Sequence, residues 1–94
     1  MKELNKQIGG EGVISDQFSR AALLAGWRSE MVNHNETYER ARISLLKANR
    51  SLDILDQILY GDLDEVAQQY DSPQLYLIAT IAGFCVVVKH QFNQ

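Results

Sequence analysis

PQLYLIATIAGFCVVV, residues 73–88, runs for sixteen positions without a charged side chain. Whether it is a membrane span, a strand or a helix decides the fold. A membrane helix needs about 20 apolar residues to cross roughly 30 Å of hydrocarbon. Residues 74–88 would cover about 22 Å at ~1.5 Å per residue, so no membrane insertion is expected. Phe84, Cys85 and the three valines that follow have sheet-like preference, yet the rest of the chain offers them no strand partner. Asp71-Ser72-Pro73 opens like a helix, with a cap at Asp71 or Ser72 and Pro73 in the first turn, where its missing N–H is no loss. The stretch therefore reads as a helix over residues 73–90. A helix without a polar face must be surrounded, which puts it at the centre of a bundle or between two chains. Ala79 and Gly83, four apart, form with Ala82 a small patch for close packing.

Working back from there, Asp62 with Glu65 fits a capping box, and Leu63, Val66, Ala67 and Tyr70 give a short helix near residues 63–70. Gly61 is placed to end the element before it. That element reads as one long helix over residues 36–60. Tyr38, Ala41, Leu45, Ala48, Leu52, Leu55 and Leu59 step by threes and fours along one side. Ile43, Leu46, Ile54 and Ile58 widen the apolar surface enough to touch more than one neighbour. Asn33 with Glu36 is a second candidate capping box, closing off a first helix near residues 15–32. Ser15 would cap that helix, with Asp16 in its first turn. Its stripe runs through Ile14, Phe18, Ala21, Ala22, Leu24, Ala25, Trp27, Met31 and Val32. Gly26 lies inside it, and the expected reason is close approach of another helix, with a kink as the alternative.

The expected fold is all-α: a small antiparallel helical bundle of three long helices plus one short helix. Ninety-four residues make one domain over residues 13–94, behind a lead-in at residues 1–12 that has three glycines in four positions. At this size self-association is a realistic source of added stability. The lone Cys85 permits no internal disulfide and no thiol cluster for zinc. Together with the absence of a visible targeting signal, this leads to a cytoplasmic expectation.

Net charge is −3, and the deficit falls after residue 60, where Asp62, Asp64, Glu65 and Asp71 face Lys89 alone. A phosphate-tracking surface needs the opposite field. Arg40, Arg42, Lys47 and Arg50 are interleaved with acids and leave no unopposed basic stripe, so nucleic acid is not the expected partner. Residues 62–82 have helix–turn–helix rhythm, which makes a small DNA-binding regulator the alternative reading. However, the second helix offers only Gln74, Tyr76 and Thr80 to base edges.

Enzymatic signals are thin. Asp62, Asp64 and Glu65 are explained by capping. Cys85, in apolar sequence, is expected to be a buried structural thiol. His34 and His90 lack a second ligand at helical spacing, and Gly9-Gly10-Glu11-Gly12 lacks the lysine of a phosphate loop. No catalytic residue, metal or cofactor is expected. The leading expectation is a non-enzymatic interaction protein: an adaptor, a chaperone-like factor or an inhibitory subunit. It would meet a protein partner, a second copy of itself first of all, through Trp27, Tyr38, Leu45, Leu52, Tyr76 and Phe84.

Overall fold

The structure, a computed structural model, describes residues 16–86. The lead-in at residues 1–12, Ile14, Ser15, Val88 and His90 lie outside the described residues. Among the described residues five α-helices follow one another: α1 Gln17–Asn33, α2 Asn35–Lys47, α3 Asp53–Tyr60, α4 Leu63–Gln69 and α5 Ser72–Ala82. The all-α expectation holds at that level. The count of three long helices plus one short helix does not, because the segment over residues 36–60 is two helices.

The break lies at Ala48–Leu52 and has a local cause. Asn49 adopts φ 63°, a left-handed conformation that asparagine tolerates better than most side-chain-bearing residues. Its amide donates to the Leu46 carbonyl at 2.9 Å, and the Arg50 amide reaches back to Leu45 at 2.9 Å. Those two bonds form a Schellman motif. Ser51 Oγ then accepts the Asp53 amide at 3.0 Å, and α3 starts with Asp53 and Asp56 in its first turn, where the dipole favours anions.

The last helix is also shorter than its apolar run. It ends at Ala82 because Gly83 takes φ 84°, and both Gly83 and Phe84 amides donate to the Ala79 carbonyl. At its start the cap is Asp71, with a full capping box to Gln74. Ser72 is the first helical residue, and Pro73 occupies the first turn as expected.

The core consists of one apolar cluster drawn from all five helices. Its hub is α1, which packs on α2, α3 and α4. The expectation that the last helix is the centre is overturned: α5 packs chiefly on α2. It buries Leu75, Ile78, Ala79 and Ala82 but leaves Leu77 44% exposed and Thr80 exposed. Polar arms from α1 secure the helix ends around it. Arg28 donates from Nε to the Ile58 carbonyl and from Nη2 to the Gly61 carbonyl, both at 2.6 Å. Arg20 Nε donates to the Ala67 carbonyl at 3.0 Å. Both arginines thus place positive charge at helix C-terminal carbonyls, where the dipole favours it.

Candidate functional site

Helix α1 buries Leu23, Leu24, Trp27 and Met31, holds its two arginines against carbonyls of α3 and α4, and leaves an uncharged strip open on its outer side. Phe18, Ala25 and Val32 are seven residues apart, and Ala22 and Ser29 fall between them, so all five share one face of a helix. Every one of the five is exposed. The two large ones are the most open, Phe18 at 83% and Val32 at 67%. This uncharged strip has bulky ends and a small-residue middle.

Beside it lies a half-open groove of about 410 Å³ between α1, the first turns of α2 and the segment after α5. Its back wall is aromatic. Trp27 and Phe84 stack with ring centroids 4.7 Å apart at 23°, and Trp27 Nε1 donates to the Cys85 carbonyl at 2.8 Å. The indole thereby holds the chain after α5 against α1. Gly26, Glu30, Thr37 and Arg40 also border the groove. Arg40 Nη2 donates to the Gly83 carbonyl at 3.3 Å. A Cβ at position 83 would lie 2.9 Å from Arg40 Nε, so the glycine both turns the chain and makes room for the guanidinium.

A smaller hollow of about 280 Å³ sits at the α2–α3 elbow, bordered by Arg50, Ser51, Asp53, Gln57 and Tyr70. Gln57 Oε1 is buried there without a hydrogen-bond partner. Among the described residues no group of three or more His, Cys, Asp or Glu is arranged to hold a metal ion. No helix among them is long and apolar enough to cross a membrane.

The residues singled out from sequence are distributed otherwise than expected. Trp27, Leu45 and Phe84 are interior to the single chain, and Tyr38, Leu52 and Tyr76 are half-buried against its core. They build the fold rather than an outer face. Ala79 is buried as close packing requires. Gly26 is not close-packed: it is exposed, and a Cβ built on it would meet nothing within 4 Å. A glycine in mid-helix costs about 1 kcal/mol against alanine, and no contact within the described chain accounts for it.

The Asn33–Glu36 capping box is absent, because α1 runs on to include Asn33, whose Nδ2 donates to Ser29 Oγ at 3.2 Å. His34 takes the N-cap position of α2 and makes no side-chain cap bond. Asp62 does cap α4, but it accepts from the Asp64 amide at 2.9 Å, one residue short of the Glu65 amide that a capping box would use. Cys85 is exposed, not buried: the helix has already ended at Gly83, and it is the Cys85 carbonyl that engages Trp27.

The basic residues of α2 form no stripe. Arg42 Nη2 pairs with Glu39 at 2.7 Å, and that hydrogen bond, with the carboxylate's charge, raises the guanidinium pKa above its ordinary value. The exposed side of α5, with Pro73, Gln74, Leu77 and Thr80, presents no cation. Sequence reasoning missed Phe18 and Val32 as a surface. The available signal was their seven-residue spacing through Ala25, which was absorbed into one broad stripe with the buried Leu24, Trp27 and Met31.

The fold and site therefore define a small all-α bundle with an apolar outer helix face and an adjoining groove. No family model matches the chain, nor does any curated protein or solved structure.

Proposed function

We propose that the protein is a non-enzymatic interaction module that self-associates through the outer face of α1. The observation that carries this reading is the exposure of Phe18 and Val32 at the two ends of an uncharged strip. Water-exposed apolar area of this kind is relieved by an isologous contact, in which the same face serves on both chains. The small side chains of Ala22, Ala25 and Ser29 let two helices approach closely. In an antiparallel pair centred on Ala25, Phe18 of each chain meets Val32 of the other, because both lie seven residues from the centre. Turning Arg20 and Arg28 inward leaves no cation on the strip to repel its copy.

Burying each large side chain contributes about 1.5–3 kcal/mol, against an association cost of about 4–15 kcal/mol. The expected dimer is therefore a weak one. Sedimentation equilibrium over a concentration series reaching hundreds of micromolar should show a monomer–dimer transition. Phe18→Asp with Val32→Asp should abolish it without changing the helical circular-dichroism spectrum. A wild-type chain that stays monomeric throughout the series overturns the reading.

A further inference from the structure

The groove behind this face has a chemistry of its own, and it goes beyond self-association. We infer that it is a binding site for a free α-amino acid with an aliphatic side chain, held as its zwitterion between Glu30 and Arg40 with the Thr37 hydroxyl behind it.

Thr37 is the residue that points to an occupant. It is 8% exposed and borders the hollow of about 410 Å³. Its amide donates to the His34 carbonyl at 2.9 Å, whereas its hydroxyl has no partner among the described residues. Among those residues the unpartnered polar side-chain atom that is sealed from solvent is Gln57 Oε1. The Thr37 hydroxyl therefore keeps an opening, and the hollow is the space it borders. A buried hydroxyl left without a bond is destabilising, and a ligand oxygen in the hollow supplies that bond.

The charges decide what kind of ligand. Glu30 from α1 and Arg40 from α2 both border the hollow, yet they make no ion pair with each other. Arg40 Nη2 donates to the Gly83 carbonyl, which uses one of five guanidinium N–H groups. Glu36 adds a second carboxylate in the first turn of the helix that carries Arg40. A plain anion therefore meets at least as much negative as positive charge, and a plain cation leaves Arg40 unanswered. A zwitterion answers both, with its ammonium toward Glu30 and its carboxylate toward Arg40 and Thr37. Ala22 and Gly26, both exposed, form a small, uncharged part of the same wall. A Cβ on Gly26 would meet nothing within 4 Å, and an aliphatic side chain resting in that space gives the mid-helix glycine a role. The size of the hollow is in the range of small-molecule sites.

Isothermal titration calorimetry of the full chain with L-leucine should show saturable binding. Isocaproate lacks the ammonium and isoamylamine lacks the carboxylate, and each should bind about tenfold more weakly or worse. N-acetyl-L-leucinamide, with both charges blocked as they are inside a peptide, should not bind. Thr37→Val should weaken L-leucine binding by about tenfold with Tm no lower than in the wild type, because the hydroxyl makes no bond within the described chain. Glu30→Gln, at an exposed position, should weaken L-leucine binding and leave isocaproate binding no weaker. Gly26→Leu should abolish binding while leaving Tm at or above that of the wild type, because leucine is the better helix former. Phe18→Asp with Val32→Asp should bind L-leucine as the wild type does, which separates this site from the self-association face. The inference is overturned if L-leucine gives no saturable heat. It is also overturned if isocaproate, isoamylamine or N-acetyl-L-leucinamide binds as tightly, or if Thr37→Val, Glu30→Gln or Gly26→Leu binds unchanged.

Discussion

Trp27 joins three parts of the molecule with one side chain. Its ring is 2% exposed, stacks on Phe84 and donates to the Cys85 carbonyl. The hydrogen bond and the stack act on consecutive residues, so the chain after α5 is tied down immediately beyond the left-handed turn at Gly83. Trp27→Phe keeps a ring for the stack and removes the donor. A carbonyl that loses its partner in a part-buried position costs about 1–3 kcal/mol, and the lost ring volume adds a cavity contribution. Urea unfolding followed by far-ultraviolet circular dichroism should therefore give a midpoint lower by the equivalent of about 2 kcal/mol with the slope unchanged. An unchanged midpoint would mean that the Cys85 carbonyl is equally well satisfied by water.

At the scale of elements, the elbow between α2 and α3 is the feature that most separates this fold from a simple bundle. Asn49 holds it in a conformation that costs most L-residues about 1–2 kcal/mol. Asn49→Ala should lower stability by about 1 kcal/mol, and Asn49→Gly should be neutral or slightly stabilising, since glycine adopts that conformation without a Cβ clash. Thermal unfolding of the two variants checks the order. Ellipticity at 222 nm in Asn49→Ala should not rise, because the Ser51 bond to Asp53 still starts α3 independently. A more stable and more helical Asn49→Ala would mean that the break is imposed from elsewhere.

The elbow also explains what the apolar pattern concealed. Leu45, Leu52, Leu55 and Leu59 keep a helical step across the break, so periodicity alone reads straight through it. The core positions change sides there: Ala41 and Leu45 are buried before it, and Ile54, Leu55 and Ile58 after it. Two narrow faces in different orientations thus imitate one wide face on a single helix. Helix class and the helix start at Asp71-Ser72-Pro73 were legible because they rest on local chemistry, whereas the break near Asn33 was read from a capping box that does not form. The hub role of α1 was not legible. It depends on Arg20 and Arg28 reaching carbonyls 47, 30 and 33 residues away, and a one-dimensional pattern reads such arginines as solvent-facing. The groove was hidden for the same reason, since Gly26, Arg40 and Phe84 meet only in three dimensions.

For the whole molecule, the inward arginines and the apolar outer face of α1 have one cause and one consequence. Charge that a small bundle ordinarily shows to solvent is used here to secure helix ends, and the hub helix is left with an uncharged strip from Phe18 to Val32 on its exterior. An association driven by that exterior differs physically from one driven by the acidic surface around Asp62, Asp64, Glu65 and Asp71. Ion-pair contacts between exposed groups weaken as the screening length falls from roughly 10 Å at 0.1 M salt to about 3 Å at 1 M. Apolar burial does not weaken, and salting-out anions strengthen it. The monomer–dimer constant should therefore be level between about 0.1 M and 1 M sodium chloride and should tighten in sodium sulfate. If the proposed self-association involves only folded chains, Tm should also rise with protein concentration, and Phe18→Asp should remove that dependence. Dissociation on adding sodium chloride would place the contact on charged groups and take the outer face of α1 out of the interface.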